Sequence, residues 1–418
     1  MQSINSDACT VLIIGSGPAG LSAALRLHKA GVTNLKVVER EDEAGGMPRF
    51  CDHSGFGLRD LRRLYSGPGY ARAYRQCALD AGIAIETATT ITNWTGTQTV
   101  SATSPAGIKE ISATAILLAT GCRERPAAAR LIPGQRPLGI FTTGSLQRFV
   151  YEHGQAVGKR AVVVGGELVS LSALLTLHHA GARVERMITA LPHHQIHLPY
   201  LPMLWYAARR WQVQVTPQAT VSRILGRRHV EGVEVRYDDG RPPELIDCDT
   251  VVFTGNWIPE HDLARLGGLV INPATRGPQV DAALRTSTPS IFAAGNLLRG
   301  AETADHAALE GRWVGQSIAQ FLADRQWPAA GVPIQVESPV AWVAPNQVDP
   351  VHGKPPLGKF LFRVDRFCRG AEARIYQGQR LLHRQAFRQL MPNRSYGLTS
   401  DWLPRVDPHG EALRLILT

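Results

Sequence analysis

The sequence predicts an α/β chain: two parallel-sheet βαβ units, one nested inside the other, and a small β-rich C-terminal domain. Three observations carry that expectation. A strand, glycine turn, helix and strand pattern starts at Thr10 and is repeated at Arg160, about 150 residues later. A further apolar strand with a glycine end, within 286–296, precedes helical periodicity to about residue 318 and returns the chain to the first unit. Beyond Pro333 the hydrophobic period changes from helical to alternating.

The first unit reads Thr10-Val-Leu-Ile-Ile-Gly-Ser-Gly-Pro-Ala-Gly20, then Leu21, Ala24, Leu25 and Leu27 at helical spacing, then a strand ending Lys36-Val-Val-Glu39. The second reads Arg160-Ala-Val-Val-Val-Gly-Gly-Glu167, a helix carrying Leu168, Leu171, Leu174 and Leu175, and a strand near Arg183–Ile188. These patterns place the first unit at 1–125 and 285–330, and the second at 126–284. The stretch Asp324–Pro333 has the Pro/Gly content of a linker. Within 334–418, Phe360, Phe362 and Val364 alternate; Ala373–Tyr376 and Arg380–His383 flank Gln377-Gly378 as a hairpin; Leu413–Leu417 reads as a last strand.

Composition narrows the function classes. The 418 residues are 44% hydrophobic and 19% charged, as in a globular protein with a sizeable core. The longest apolar runs are far too short to span a bilayer, and no basic segment precedes the first, so no signal peptide is read and the cytoplasm is the expected compartment. The net charge of +10 is dispersed. Short clusters such as Arg209–Arg210 and Arg227–His229 read as solvated faces; no nucleic-acid motif is present, and peripheral membrane contact is open but without support. The six cysteines (9, 51, 77, 122, 248 and 368) form no C-x-x-C pair, which leaves iron–sulfur, zinc and dithiol chemistry without support. His193, His194 and His197 lie in a prolyl loop with no ligand spacing, and no metal is expected.

Gly15-Ser16-Gly17-Pro18-Ala19-Gly20 has the spacing that a pyrophosphate site needs. Gly15 allows the turn, Gly17 lets the backbone approach phosphate, and Gly20 lets helix and strand pack closely. The helix N-terminus then offers free N–H groups and a positive dipole end. Glu39, 24 residues after Gly15, ends the next strand, where a carboxylate accepts from ribose hydroxyls; Arg40 follows it. Gly45-Gly46, Leu118-Ala-Thr120-Gly121 and Thr286–Asn296 add further glycine approaches, which suit FAD better than NAD.

These pieces, with Phe253-Thr-Gly-Asn-Trp-Ile-Pro259, resemble the FAD/NAD-linked pyridine nucleotide-disulfide oxidoreductase superfamily over roughly residues 9–320. The resemblance implies two Rossmann-like dinucleotide-binding domains. It also implies FAD contacts from residues 15–20, Glu39, Arg40, Gly46, Arg49, Thr120, Gly121, Gly295 and Asn296. Asn296 replaces the usual Asp but can still hydrogen-bond the ribityl chain. In the family the next helix points its N-terminal backbone at the flavin pyrimidine edge, and Asp305 and His306 fall there.

The second loop departs from the pattern. Aligning Gly165 with the first family glycine puts Glu167 on the second and Ser170 on the third. A carboxylate then stands where pyrophosphate should approach, and the following strand ends Met187-Ile-Thr-Ala190 without a ribose acid. NAD(P) binding by this domain is therefore doubtful.

The superfamily's paired cysteines are missing. After Gly46 comes Met47-Pro-Arg49-Phe-Cys51-Asp-His53, so Cys51, with Arg49 and His53 to lower its pKa, is one weak catalytic candidate and His306 another. Gly121-Cys-Arg-Glu-Arg-Pro126, Phe141-Thr-Thr-Gly-Ser-Leu-Gln147 and Leu298-Arg-Gly-Ala-Glu-Thr-Ala-Asp305 resemble the FAD-containing α-type subunits of opine oxidases, hydrogen cyanide synthase and dye-linked amino-acid dehydrogenases. Those subunits commonly work beside a second flavoprotein. Many carry a cysteine-rich iron–sulfur module where this chain has its β-rich 334–418 segment. The expected function is an FAD-dependent subunit of a heteromeric dehydrogenase acting on an amine, amino acid or other small polar metabolite. The alternatives are a stand-alone NAD(P)H-dependent flavin reductase and a flavin-bearing scaffold.

Overall fold

The computed structural model describes residues 5–328, 331–349 and 353–418. They divide into two compact units: Met1–Arg49, Ser54–Cys122 and Pro259–Thr418 form the first, and Phe50–His53 with Arg123–Ile258 the second.

The first unit opens with β1 (Asn5–Ile14), α1 (Pro18–Lys29), β2 (Leu35–Val38) and α2 (Gly67–Asp80). β1 pairs in parallel with β2 on one side and with strand Gly107–Leu118 on the other. As a central strand it is covered on both faces. Val11, Leu12 and Ile13 are all fully buried, which is why its sequence is an apolar run rather than an alternation. Ala84–Glu86 extends the sheet beyond β2, and the antiparallel strands Thr90–Gly96 and Thr99–Ser104 lead into Gly107–Leu118. The returning strand Ile291–Ala293 pairs with Gly107–Leu118 and completes seven strands.

The second unit contains α3 (Thr143–Gln147), α4 (Leu168–His179) and α5 (Leu201–Arg210). Its five-stranded sheet is parallel throughout, in the order 140–142, 250–253, 160–164, 183–188, 214–216. An antiparallel trio (219–225, 232–237 and 244–247) forms a second sheet, and Val221, Val233 and Val235 share a buried cluster with Val162, Ile188 and Val251 of the parallel one. Leu171, Leu174 and Leu177 of α4 are buried in the core of the unit. Residues 50–53 belong here through local contacts: Arg148 lies 5.0 Å over the Phe50 ring, and the Ser172 hydroxyl is 2.9 Å from His53 Nε2.

The chain then re-enters the first unit through α6 (Asp262–Leu266) and α7 (Ala304–Asp324). The sequence places residues 259–284 with the second unit; in the structure they cluster with the first. Trp94 Nε1 donates to Leu263 O at 2.8 Å, and Leu263, Ala264 and Leu269 join the first unit's core, which are long-range contacts that no local pattern announces. α7 lies close on α1. A Cβ on Gly311 would stand 2.2 Å from Ala19 O, and one on Gly315 would stand 2.9 Å from Ala23 O, so the crossing needs residues without side chains.

The β-rich segment forms a five-stranded sheet (order 347–348, 332–336, 413–417, 368–377, 380–390) and a three-stranded sheet (340–344, 359–364, 396–399). They share a core containing Phe360, Phe362, Leu398, Trp402 and Leu413. The hairpin turns at Gly378, φ +55°, with Gln377 opposite Arg380. The stretch read as a linker is shorter than expected. α7 runs to Asp324, Trp327 packs 5.2 Å from Phe292, and Val332 already begins a strand; residues 329 and 330 lie outside the described residues. No helix among the described residues is long and apolar enough to cross a membrane.

Candidate functional site

The first glycine loop is shaped by backbone packing. Gly15 has φ +105°, and a Cβ there would lie 2.4 Å from Ala119 O; one on Gly20 would lie 1.9 Å from Gly15 O. Gly17 differs: a Cβ there would meet nothing within 4 Å. Gly17 is the N-cap of α1, no side chain caps that end, and Pro18 occupies the first turn. The first-turn N–H groups thus keep their hydrogen-bonding capacity beside open space. Gly46, at φ +65°, would bring a Cβ to 2.8 Å from Gly17 Cα, so the double glycine lies against the loop.

Glu39 is 7% exposed at the end of β2. Its Oε2 accepts from Ser16 N (3.0 Å) and Ser16 Oγ (2.5 Å), and its Oε1 from Glu41 N (3.0 Å). The carboxylate that sequence reasoning assigns to a ribose is thus also the brace of its own glycine loop. Arg40 is exposed, 3.7 Å from Glu41, and Arg49 Nη1 donates to Glu43 O at 2.8 Å. Thr120 Oγ1 donates to Glu260 O (2.8 Å), and Gly121 O accepts from Glu260 N (2.9 Å).

The segment Gly295–Thr303 is held from two sides. Gly295 N donates to Glu310 Oε2 at 3.2 Å, and Arg299 pairs with Glu310 Oε1. Burial opposes ionisation of Glu310, but Arg299 and the His306 hydrogen bond outweigh it and bring its pKa to about 2. His306 Nε2 stands 3.5 Å from Glu310 Oε1. On the other side, Arg363 of the β-rich domain donates to Ala301 O and lies 2.7 Å from Glu302 Oε1, which Ser395 also reaches. Asn296 Oδ1 accepts from Glu302 N at 3.0 Å, leaving the amide nitrogen as its donor. Asp305 is buried, and its Oδ1 accepts from Gly57 N at 2.6 Å. Its carboxylate faces Gly57, a destination that the sequence does not reveal.

Cys51 does not have the environment expected of it. Burial pushes its thiol up to about 12, against the lowering anticipated from Arg49 and His53. Its Sγ lies 3.6 Å from Gln147 Oε1. A thiol in that state is a poor nucleophile near neutral pH.

In the second unit the corresponding loop is filled from within. Glu167 is the N-cap of α4 and only 7% exposed. Its Oε2 accepts from Gly166 N (2.9 Å) and its Oε1 from the Thr254 hydroxyl. Rather than projecting across the approach path, the side chain folds back and takes a loop N–H of the kind a phosphate would use. Arg130 Nη2 closes the far side on Thr254 O (2.7 Å) and Gly255 O (3.3 Å). Nearby, a cavity of about 310 Å³ is bordered by Arg123, Glu124, Phe141, Thr142 and Ser145 among others. Burial raises the Glu124 pKa to about 7, although Gly144 N donates to its Oε2 at 2.8 Å. Sequence reasoning missed Glu124, Glu310 and Arg363, whose significance comes from burial and distant partners.

The first loop's uncapped helix end, its clear cradle at Gly17 and its buried strand-end carboxylate fit a dinucleotide such as FAD. A model of the pyridine nucleotide-disulphide oxidoreductase family matches residues 9–311. The chain is 28% identical over 344 residues to a putative glutamate synthase [NADPH] small chain of Cereibacter sphaeroides, covering 75% of this chain and 77% of that protein. It is 25% identical over 329 residues to an opine oxidase subunit of Agrobacterium tumefaciens (strain Ach5), covering 72% of this chain but only 64% of that one. Thioredoxin reductase of T. acidophilum shares the fold at TM-score 0.64 and 20% identity, over 76% of this chain and 99% of its own. Bacillithiol disulfide reductase Bdr of Bacillus cereus does so at 0.63 and 23%, over 77% and 100%. With two Rossmann-type domains and a family match over most of its length, the chain belongs to the pyridine nucleotide-disulphide oxidoreductases.

Proposed function

We propose that this FAD-dependent oxidoreductase is the flavin-bearing subunit of a heteromeric dehydrogenase that oxidises an amine, an amino acid or another small polar metabolite. One observation carries the reading: the second dinucleotide loop is occupied by its own Glu167 carboxylate, which opposes entry of a nicotinamide dinucleotide. Similarity to a glutamate synthase small chain and to an opine oxidase subunit, both named as parts of larger enzymes, supports the presence of a partner chain.

When bound, FAD supplies a two-electron acceptor. In this reading α1's free N–H groups bind its pyrophosphate, Glu39 accepts from the adenosine ribose, and Asn296 donates to the ribityl chain. Gly46, Thr120, Gly121 and Gly295 let backbone approach it closely. Arg40, Arg49, Asp305 and His306 act around these contacts by charge and hydrogen bonding. Glu310 and Arg363 hold the Gly295–Thr303 segment still, so that orientation is fixed before substrate arrives.

The test is anaerobic stopped-flow mixing of the FAD-loaded chain with NADH and with NADPH. Slow or absent flavin bleaching is the expected result. Rapid bleaching by either would replace this reading with a stand-alone NAD(P)H-dependent reductase, the function favoured by the name of the glutamate synthase [NADPH] relatives.

A further inference from the structure

Helix α5 carries two apolar faces, and the second unit covers only one of them. Leu204 and Ala207 are buried in the unit's core. Pro202, Trp205, Tyr206 and Arg209 follow the spacing i, i+3, i+4, i+7, which places them on a single stripe of the helix, and all four are exposed. Trp205 is 65% exposed and Tyr206 56%; Leu198, just before the helix, is 81% exposed. Single exposed apolar side chains are ordinary, whereas a contiguous stripe of them marks a contact surface. The stripe continues into further rings: Tyr206 lies edge to face with Trp211 at 5.6 Å, and Trp211 stacks on His178 at 4.2 Å.

The charge beside the stripe has one sign. From Arg186 to Val230 the chain runs 45 residues with six arginines and no Asp, Glu or Lys. Arg209 and Arg210 are exposed, and neither pairs with an acid among the described residues. The sequence alone reads these two as a solvated face; in the structure they close the C-terminal end of an aromatic stripe. Their position also suits the helix dipole, but that role requires no outward Trp or Tyr.

Trp and Tyr beside arginine, with no acid to repel phosphate, is the composition of a helix that lies in the headgroup region of a bilayer. Aromatic residues and arginine suit a protein partner as well, so the area decides. Fully open aromatic side chains present about 150–250 Å² each, so Leu198, Trp205 and Tyr206 leave roughly 400 Å² outward. That is about half of what one side of a stable protein complex buries. A bilayer offsets the shortfall through surface charge and needs no matching shape.

We infer that the outward stripe of α5 docks on an anionic lipid bilayer, with Trp205 and Tyr206 at the headgroup boundary and Arg209 and Arg210 on lipid phosphates. The contact is peripheral, and it is independent of which electron donor the protein uses.

Sedimentation of the full FAD-loaded chain with vesicles tests the docking. Vesicles of phosphatidylcholine and phosphatidylglycerol in equal amounts should carry the protein down, vesicles of phosphatidylcholine alone should not, and added salt should release it. Each arginine at an anionic surface is worth roughly fivefold in partition, so Arg209→Gln with Arg210→Gln should lose about 30-fold. Trp205→Ala with Tyr206→Ala should lose about tenfold or more. Melting curves check that both double variants remain folded. Failure of the wild type to sediment with the mixed vesicles, or binding that survives both double substitutions, overturns the lipid assignment. Retention on immobilised polyglutamate that both double variants lose, without vesicle binding by wild type, overturns it in favour of an acidic protein partner.

Discussion

Removing the Glu39 carboxylate should weaken FAD binding, and the structure sets both the size of the effect and its control. A carboxylate offers about four acceptor positions. Ser16 N, Ser16 Oγ and Glu41 N take three of them. One remains for a ribose hydroxyl, and a second opens only when the Ser16 hydroxyl turns away. Glu39→Ala should cost about 1.5–3 kcal/mol of FAD affinity, roughly 10- to 150-fold in Kd, as for hydrogen bonds to a charged group. It should also lower the melting temperature of the flavin-free protein, because Ser16 N and Glu41 N lose a buried acceptor. Ser16→Ala removes one donor to Glu39 and one acceptor for Gly45 N, and should reduce FAD affinity far less than Glu39→Ala. Fluorescence titration of deflavinated protein with FAD, paired with melting curves with and without cofactor, reads both effects. Wild-type affinity in Glu39→Ala, or an equal loss in Ser16→Ala, would refute the assignment of the adenosine end.

Glu124 has a folded-state pKa of about 7 against an ordinary 4.5, so its contribution to stability is present below pH 4.5 and is lost as pH rises through 7. Glu124→Gln should flatten the stability–pH profile over that window and be more stable than wild type at pH 8, by up to about 3 kcal/mol, in chemical denaturation at several pH values. Glu167→Gly should expose Gly166 N and create or strengthen NADH or NADPH binding by calorimetry; tight binding by wild type would show that the carboxylate is no barrier. Gly311→Ala would drive a methyl into Ala19 O, should cost about 1–3 kcal/mol, and should loosen FAD, since Ala19 lies in the first turn of α1; denaturation and FAD titration check it.

What the sequence made legible is local. Gly15, Gly17 and Gly20 sit within six residues; Gly15 and Gly20 each have a steric reason to be there, and Gly17 leaves open space beside the loop. Gln377-Gly378 between alternating strands identified its hairpin for a similar reason. Strand 332–336 was illegible because its start lies in the Pro/Gly stretch read as a linker, while pairing with 413–415 makes it a strand. The Glu167 substitution was visible as a departure, but the direction of its side chain depends on Thr254, 87 residues away. Cys51 was misjudged on charge because basic neighbours in sequence say nothing about desolvation.

The Glu167 contact has a further consequence. A tethered carboxylate acts as a competitor that can never be diluted, with an effective concentration fixed by a short chain rather than by the cell. Any incoming phosphate must displace it and find it a new partner. Apparent nucleotide affinity in this unit therefore understates the intrinsic quality of the loop by the strength of that internal contact. Under this logic Glu167→Gln, which keeps the shape and removes the charge, should fall between wild type and Glu167→Gly, turning one side chain into a graded dial on nucleotide occupancy.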